Sequence, residues 1–310
     1  MDNITTLEKV SDRVNEMSVN CFDANVTVAD LSFDNLETVR IGDTQTHNLR
    51  EIAQRSISYR LGIPHQYLRK CPPDIQAMNM NYWIEHEKND QLFFRYDNDD
   101  VRAIFTTKYK PVDNFEVMER LDSLGYGPDT RVQCKLDHEF MLLSIMDGNK
   151  TFHINGDKFK PGVSISNSEV GLSSLGIAAF VLRLICLNGL IRKTEIGASY
   201  RHVSYKILDE FPQVLENVSY ELGKQKHQFK LSMESQVDDP LSTINSFNRQ
   251  FQLAKDEKDA VEWAWQQHEM GDTMFNIVNT YTRASQFSGL SAESSYQLQR
   301  VGGNILGMLN

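Results

Sequence analysis

Nothing limits the fold of this chain more than the run Leu175–Ile191, LGIAAFVLRLICLNGLI. It is apolar on nearly every face, so it must be buried all round, and on that ground it is read as a long core helix. At 17 residues, with Arg183 inside it and glycines near both ends, it suits a core element better than a membrane span. Its two ends are polar. Ser166-Asn167-Ser168-Glu169 precedes it, and a cationic stretch follows it. A buried element with polar ends is where a core would present a site.

Charge narrows the partners. The net charge is −10, which argues against a general polyanion coat. Residues 1–47 hold nine acids against three bases, and residues 207–310 fourteen against eight. Residues 183–206 invert this, with Arg183, Arg192, Lys193, Arg201 and Lys206 against Glu195. That pattern fits a local anion site. The N-terminus, MDNITTLEKV, lacks an apolar signal region, and Cys21, Cys71, Cys134 and Cys186 are scattered without a CxxC pair. The expectation is a cytoplasmic protein of a bacterial host, with reduced thiols and no membrane partner.

Along the chain, residues 1–47 read as an acidic segment with a short helix at Thr5–Met17 and a loose tail. Residues 48–90 read as a helical unit, with a helix up to Ile57, a stop at Gly62-Ile63-Pro64, a short helix at His65–Lys70 and another at Ile75–Glu87. Residues 91–206 carry the strands. LFFRY and VRAIFTT flank an Asp97–Asp100 turn, and Asp113–Leu124 is a helix capped by Asp113 or Asn114. Arg131–Leu136 alternates as a half-buried strand, while Phe140–Met146 and Val163–Ser168 are apolar strands. Residues 207–310 read as helices. The fold class is therefore α+β, with a central, mostly antiparallel sheet and the long buried helix, flanked by helical N- and C-terminal units.

Standard catalytic signatures are missing. The His-Glu pairs at His86, His138 and His268 lack a second histidine four residues on, so no zinc-protease helix exists. Cys134 and His138 have no second ligand pair, so no metal is expected. No GxxxxGK[ST] loop occurs, and GLSSLG at 171–176 misses the GxSxG elbow by one residue. No cofactor is expected, and the balance favours a binding protein over an enzyme.

The remaining polar groups each have a plain structural reading. Ser166, Asn167, Ser168 and Glu169 suit turn and cap chemistry, with a ligand site as the alternative. Arg183, inside the apolar run, needs an acid such as Glu169, because an unpaired buried charge is very costly. Asn188 belongs to the end of the same run. Arg192, Lys193, Arg201 and His202, interleaved with Tyr200 and Tyr205, suit either a solvated helix end or a phosphate-tracking groove with stacking rings. Lys108-Tyr109-Lys110 repeats the pattern after a strand, where lysines also protect sheet edges. Leu49–Lys70 is similar to a helix-turn-helix with His65–Lys70 as the reading helix, but that helix has only about one and a half turns, and packing is the safer role.

Taken in order, LGIPHQYLRK (61–70), VRAIFTTKYKPVDN (101–114), SNSEVG (166–171), RLICLNGLI (183–191), ASYRHVSY (198–205) and NTYTRAS…LQRVGGNIL (279–306) resemble the phage- and plasmid-borne family catalogued as domain of unknown function 932. FTTKY departs from the Ser-Asp/Glu-Arg-Tyr form expected there, and Lys108 keeps a cation without guanidinium geometry. The phage and plasmid setting implied by that resemblance points to DNA metabolism or conflict with a host, and the fold is similar in outline to ring-forming single-strand annealing proteins. The expected role is single-stranded DNA binding or annealing in recombination or replication, as a homo-oligomer. Lys108, Tyr109, Lys110, Arg192, Lys193, Tyr200, Arg201, His202 and Tyr205 would then form the nucleic-acid site. The alternatives are an enzyme with a polar site of Ser166, Asn167, Ser168, Glu169, Arg183, Asn188 and His202, or a non-catalytic protein that binds a host factor.

Overall fold

A computed structural model describes residues 4–146, 151–154, 156–184, 188–192, 199–200 and 227–309, with side chains except at 188–192, 199–200 and His268. The fold is α+β, as expected, and divides into two compact units, each built on one sheet. The first unit holds residues 1–11, 112–168 and 173–310, and the second holds 12–111 and 169–172.

In the first unit, β1 (Ile4–Thr6) follows the order β1-β8-β9-β11-β12-β13 with β8 (Arg131–Leu136), β9 (Met141–Met146), β11 (Asp157–Asn167), β12 (Leu175–Arg183) and β13 (Asn188–Arg192). β10 (Phe152–Ile154) pairs with β11, and β14 (Ser199–Tyr200) pairs with β12. All these pairings are antiparallel. The helix α5 (Asn114–Ser123) starts with a capping box, in which Glu116 accepts from the Asp113 backbone N–H at 2.7 Å. Of the C-terminal helices, α6 is described over residues 227–234, followed by α7 (Pro240–Gln250), α8 (Lys255–Ala264), α9 (Met274–Ala284) and α10 (Ala292–Gly307). Phe229, Ile244, Val261, Ile277, Tyr281 and Leu298 from these helices share one core with Phe152, Phe159 and Val181 of the sheet.

The apolar run is not a helix. Leu175–Arg183 forms β12, Leu184 turns, and Asn188–Arg192 returns as β13, with Arg183 opposite Asn188. A strand paired on both sides and covered on both faces needs apolar residues at every position, as a buried helix does. The alternation that marks a half-exposed strand is therefore absent, and the apparent 17-residue helix holds two antiparallel strands. Asn188-Gly189, which resembles a helix stop, begins the return strand.

The second unit also departs from expectation. Its sheet runs β2-β6-β7-β5-β4-β3, and four of those strands lie where a loose acidic tail and a helical unit were expected. They are β2 (Cys21–Thr27), β3 (Leu31–Asn35), β4 (Thr38–Ile41) and β5 (Gln45–Leu49), paired through β6 (Gln91–Asp97) and β7 (Asp100–Thr106). The helix α1 (Leu7–Ser18) precedes them, and α2 (Glu51–Arg60), α3 (His65–Leu68) and α4 (Pro73–Ile84) connect β5 to β6. One sheet face packs Val26, Phe33, Val39, Phe94, Tyr96 and Ile104 against Ala53, Ile57, Leu68, Met80 and Ile84 of those helices.

Candidate nucleic-acid interface

The surface formed by α2, α3 and α4 begins with a sharp stop. Gly62, at φ +70°, ends α2. Its N–H reaches the Tyr59 carbonyl at 3.1 Å, and the Ile63 N–H reaches the Ser58 carbonyl at 2.9 Å. This is a Schellman closure, which favours glycine at the left-handed position. Pro64 then starts α3, whose Leu68 is fully buried, so the short helix is pinned by one side chain. Pro73 occupies the first turn of α4, where its missing N–H is no loss. Gln76 donates to the Leu68 and Cys71 carbonyls, each at 3.0 Å, and so ties the two helices together.

With that side anchored, the other side presents cations and rings. Arg55 and Tyr59 stand one turn apart on α2, and Tyr59 is 89% exposed. Arg69 and Lys70 are exposed just after α3, beside the exposed Tyr67. On α4, Tyr82 and Trp83 are 56% and 46% exposed, their rings 5.2 Å apart, and His86 lies 4.8 Å from Tyr82. Asn79, Tyr82, Trp83 and His86 follow the spacing of one helix face, and the Tyr67 phenol is raised above its ordinary range by the Cys71 thiol, with Asn79 opposing.

The electrostatics are local. Between residues 50 and 70 there are five bases (Arg50, Arg55, Arg60, Arg69, Lys70) and one acid, Glu51. Arg50 is committed to Asp97 at 2.8 Å and Asp100 at 3.2 Å, and Arg60 faces Glu87 at 3.6 Å. Arg55 and Arg69 share Glu51, at 2.6 and 3.9 Å. Glu51 is held below the usual carboxylate range, chiefly by its Arg55 hydrogen bond. His65 is lowered by burial first and then by Arg55 and Arg69. The cations belong to α2 and the end of α3, whereas α4 and its end carry the exposed acids Asp74 and Glu85. Cations with exposed rings nearby can hold phosphates electrostatically while bases stack on the rings.

Only some of the residues singled out in the sequence are described with their side chains. Lys108 and Lys110 are exposed in the turn after β7, but the Tyr109 ring stacks on Phe105 at 3.8 Å and 3°. Asn188, Arg192 and Tyr200 lie in strands whose side chains are not described, and Lys193, Arg201, His202 and Tyr205 lie outside the described residues. Ser166 and Asn167 are buried at the end of β11, and Asn167 donates to the Val112 carbonyl and Asn114 Oδ1, both at 2.9 Å. Ser168 donates to the Glu139 carbonyl at 2.8 Å. Glu169 pairs with Arg102 at 2.6 Å. Arg183 binds Asp157 at 2.8 Å, faces Glu269 at 3.6 Å and lies over the Phe275 ring. Asn167 Nδ2, Ser168, Glu169 and Arg183 thus have structural partners of their own, while Asn167 Oδ1 is buried without a hydrogen bond.

The exposed side of these helices also has a counterpart in the charge pattern of the sequence. Residues 50–70 have the same balance of five bases to one acid as residues 183–206. Treating Leu49–Lys70 as a packing element fits its buried side, and the exposed side needed to be counted separately. Among the described residues, no three His, Cys, Asp or Glu side chains group as a metal site, and no helix is long and apolar enough to cross a membrane. No family model matches the chain, and neither the curated proteins nor the solved structures contain a match.

Proposed function

We propose that this chain binds single-stranded nucleic acid on the exposed face of α2, α3 and α4. Strand annealing by a homo-oligomer is the setting we propose for that activity, on the motif resemblance alone. The observation that supports binding is that α2, α3 and α4 of one unit together expose Arg55, Arg69 and Lys70 and the rings of Tyr59, Tyr67, Tyr82 and Trp83. Duplex DNA buries the π-faces of its bases, whereas a single strand offers them, so exposed rings favour the single strand. The short α3 also makes a poor groove-reading helix. Lys108 and Lys110 remain as further cations of the same unit.

Fluorescence anisotropy with a labelled oligo-dT, across a salt series, tests this reading. Replacing Arg55, Arg69 and Lys70 together by Ala should weaken binding more than tenfold at low salt and reduce the salt slope by about 2, at roughly 0.7 per phosphate contact. Trp83→Ala should lose about 1–3 kcal/mol, the range for one stacked base, and leave the salt slope unchanged. A wild-type chain that ignores the oligonucleotide at low salt, or a triple variant that binds like wild type, would sink the assignment.

A further inference from the structure

We propose that Glu51 occupies the position of a backbone phosphate, so that the surface carries a phosphodiester site already filled by a carboxylate of the chain. The inference rests on the nucleic-acid reading above and adds to it the point where the strand is gripped. A single oxygen, Glu51 Oε1, accepts from Arg55 Nη2 at 2.6 Å and faces Arg69 Nη1 at 3.9 Å. Two guanidiniums converging on one anionic oxygen form the arrangement that recognises a phosphate oxygen. All three side chains are more than half exposed, at 52–57%, so an incoming anion meets no steric barrier. Glu51 is also the only acid between residues 50 and 70.

The consequence concerns affinity and release. An exposed ion pair is weak, so the carboxylate can be displaced at little expense. While in place, it cancels part of the cationic field that a strand would otherwise meet. Binding must therefore exchange one anion for another, which limits affinity and speeds departure. An annealing protein needs such turnover, because a strand held too tightly cannot be handed to its complement.

The test uses the full chain, a labelled oligo-dT and a salt series. Glu51→Gln keeps the shape and removes the charge, and it should bind roughly three- to tenfold more tightly at low salt. Its salt slope should be steeper by about 0.7, the value of one further phosphate contact on a single strand. Glu51→Asp keeps the charge and should stay near wild type. Glu119→Gln, on the exposed face of α5 in the other unit, removes the same charge elsewhere and should change neither quantity. If wild type binds but Glu51→Gln is no tighter, the carboxylate merely positions the arginines and the inference fails. Equal tightening by Glu51→Asp or Glu119→Gln would overturn it too. Failure of wild type and Glu51→Gln alike to bind at low salt would instead remove the functional reading beneath it.

Discussion

Asn81 shows how one side chain holds this surface in place. Its Oδ1 accepts from the Phe33 N–H at 2.7 Å, and its Nδ2 donates to the Phe33 carbonyl at 2.9 Å. β3 is an edge strand, so these backbone groups have no strand partner on that side, and the amide of α4 takes the place of one. Gln76 does the same for the Leu36 N–H at 3.0 Å. Asn81→Leu leaves a donor and an acceptor of a buried residue without a partner, so it should lower stability by about 2–4 kcal/mol, with an unchanged m-value in urea. A loss below about 0.5 kcal/mol would show that water replaces the amide. Because Tyr82 and Trp83 follow directly, the variant should also weaken the oligonucleotide binding proposed for this surface. The helix α4 was legible as a helix, though expected over Ile75–Glu87 and observed over Pro73–Ile84, because Pro72-Pro73 reads equally as the stop of the helix before it. Asn81's role was not, because a polar residue in a helix carries no mark of a strand 48 positions earlier. The strands β3 to β5 escaped for a similar reason: LSFDN, TVRI and QTHNL are too short for periodicity to rise above an acidic composition.

At the scale of elements, β8 was read correctly as a strand and incompletely as a half-buried one. Val132 faces inward as its alternation requires, but the opposite face is covered too, and Gln133 is buried. Lys135, on that face, donates to Ser295 Oγ of α10 at 2.6 Å, and Asp137 accepts from the Ala292 N–H at the start of α10 at 2.8 Å. A polar strand face can be covered when a helix supplies partners, and those partners lie 155 and 160 residues away. Burial pushes Lys135 down to about 8, with Asp137 opposing. Below pH 8 both folded and unfolded chains hold this proton, and the cost of burying the ammonium is fully present. Between about 8 and the ordinary 10.5, the unfolded chain binds more protons, so stability should rise with pH by about 1–2 kcal/mol for a part-buried group. Cys134 and Tyr96, both pushed up to about 12 by burial, act in the opposite direction over the same range. The comparison is therefore between wild type and Lys135→Met in urea unfolding at pH 8 and pH 10. The wild type should gain relative to the variant, and parallel curves would show that Lys135 titrates as it does in water.

Across the whole molecule, the organising fact is that the second unit is completed by four residues from far along the chain, Glu169–Leu172. The motif SNSEVG is thus shared, with Asn167 and Ser168 bonded in the first unit and Glu169 onward in the second. That division explains why the motif resembled a site: it is dense in polar groups because it ends one structure and enters another. In the second unit, Arg95 and Arg102 are almost fully buried on the face opposite the core of α2, α3 and α4. The register shift between β6 and β7 falls at Arg102, and a bulge there turns its side chain to the same face as Arg95. Arg95 Nε donates to Asp23 at 2.9 Å and its Nη1 to the Glu169 carbonyl at 3.0 Å, while Arg102 Nη1 donates to Glu169 Oε2 at 2.6 Å. Val170 packs with Ile52 and Ala103, and Gly171, at φ +86°, lies where a Cβ would stand 2.7 Å from the Phe105 ring. The side chain of Glu169 is therefore the counter-charge that makes buried Arg102 tolerable. Glu169→Gln should destabilise the chain by about 3 kcal/mol, since removal of one partner leaves the other buried charge uncompensated. Replacing both Glu169 and Arg102 by Met removes the charge as well as its partner, and should recover most of that loss. Denaturation of wild type, the single variant and the double variant separates the possibilities. A double variant no better than Glu169→Gln would mean that the segment is held by Val170 and the backbone contact to Arg95, and that the ion pair only accompanies it.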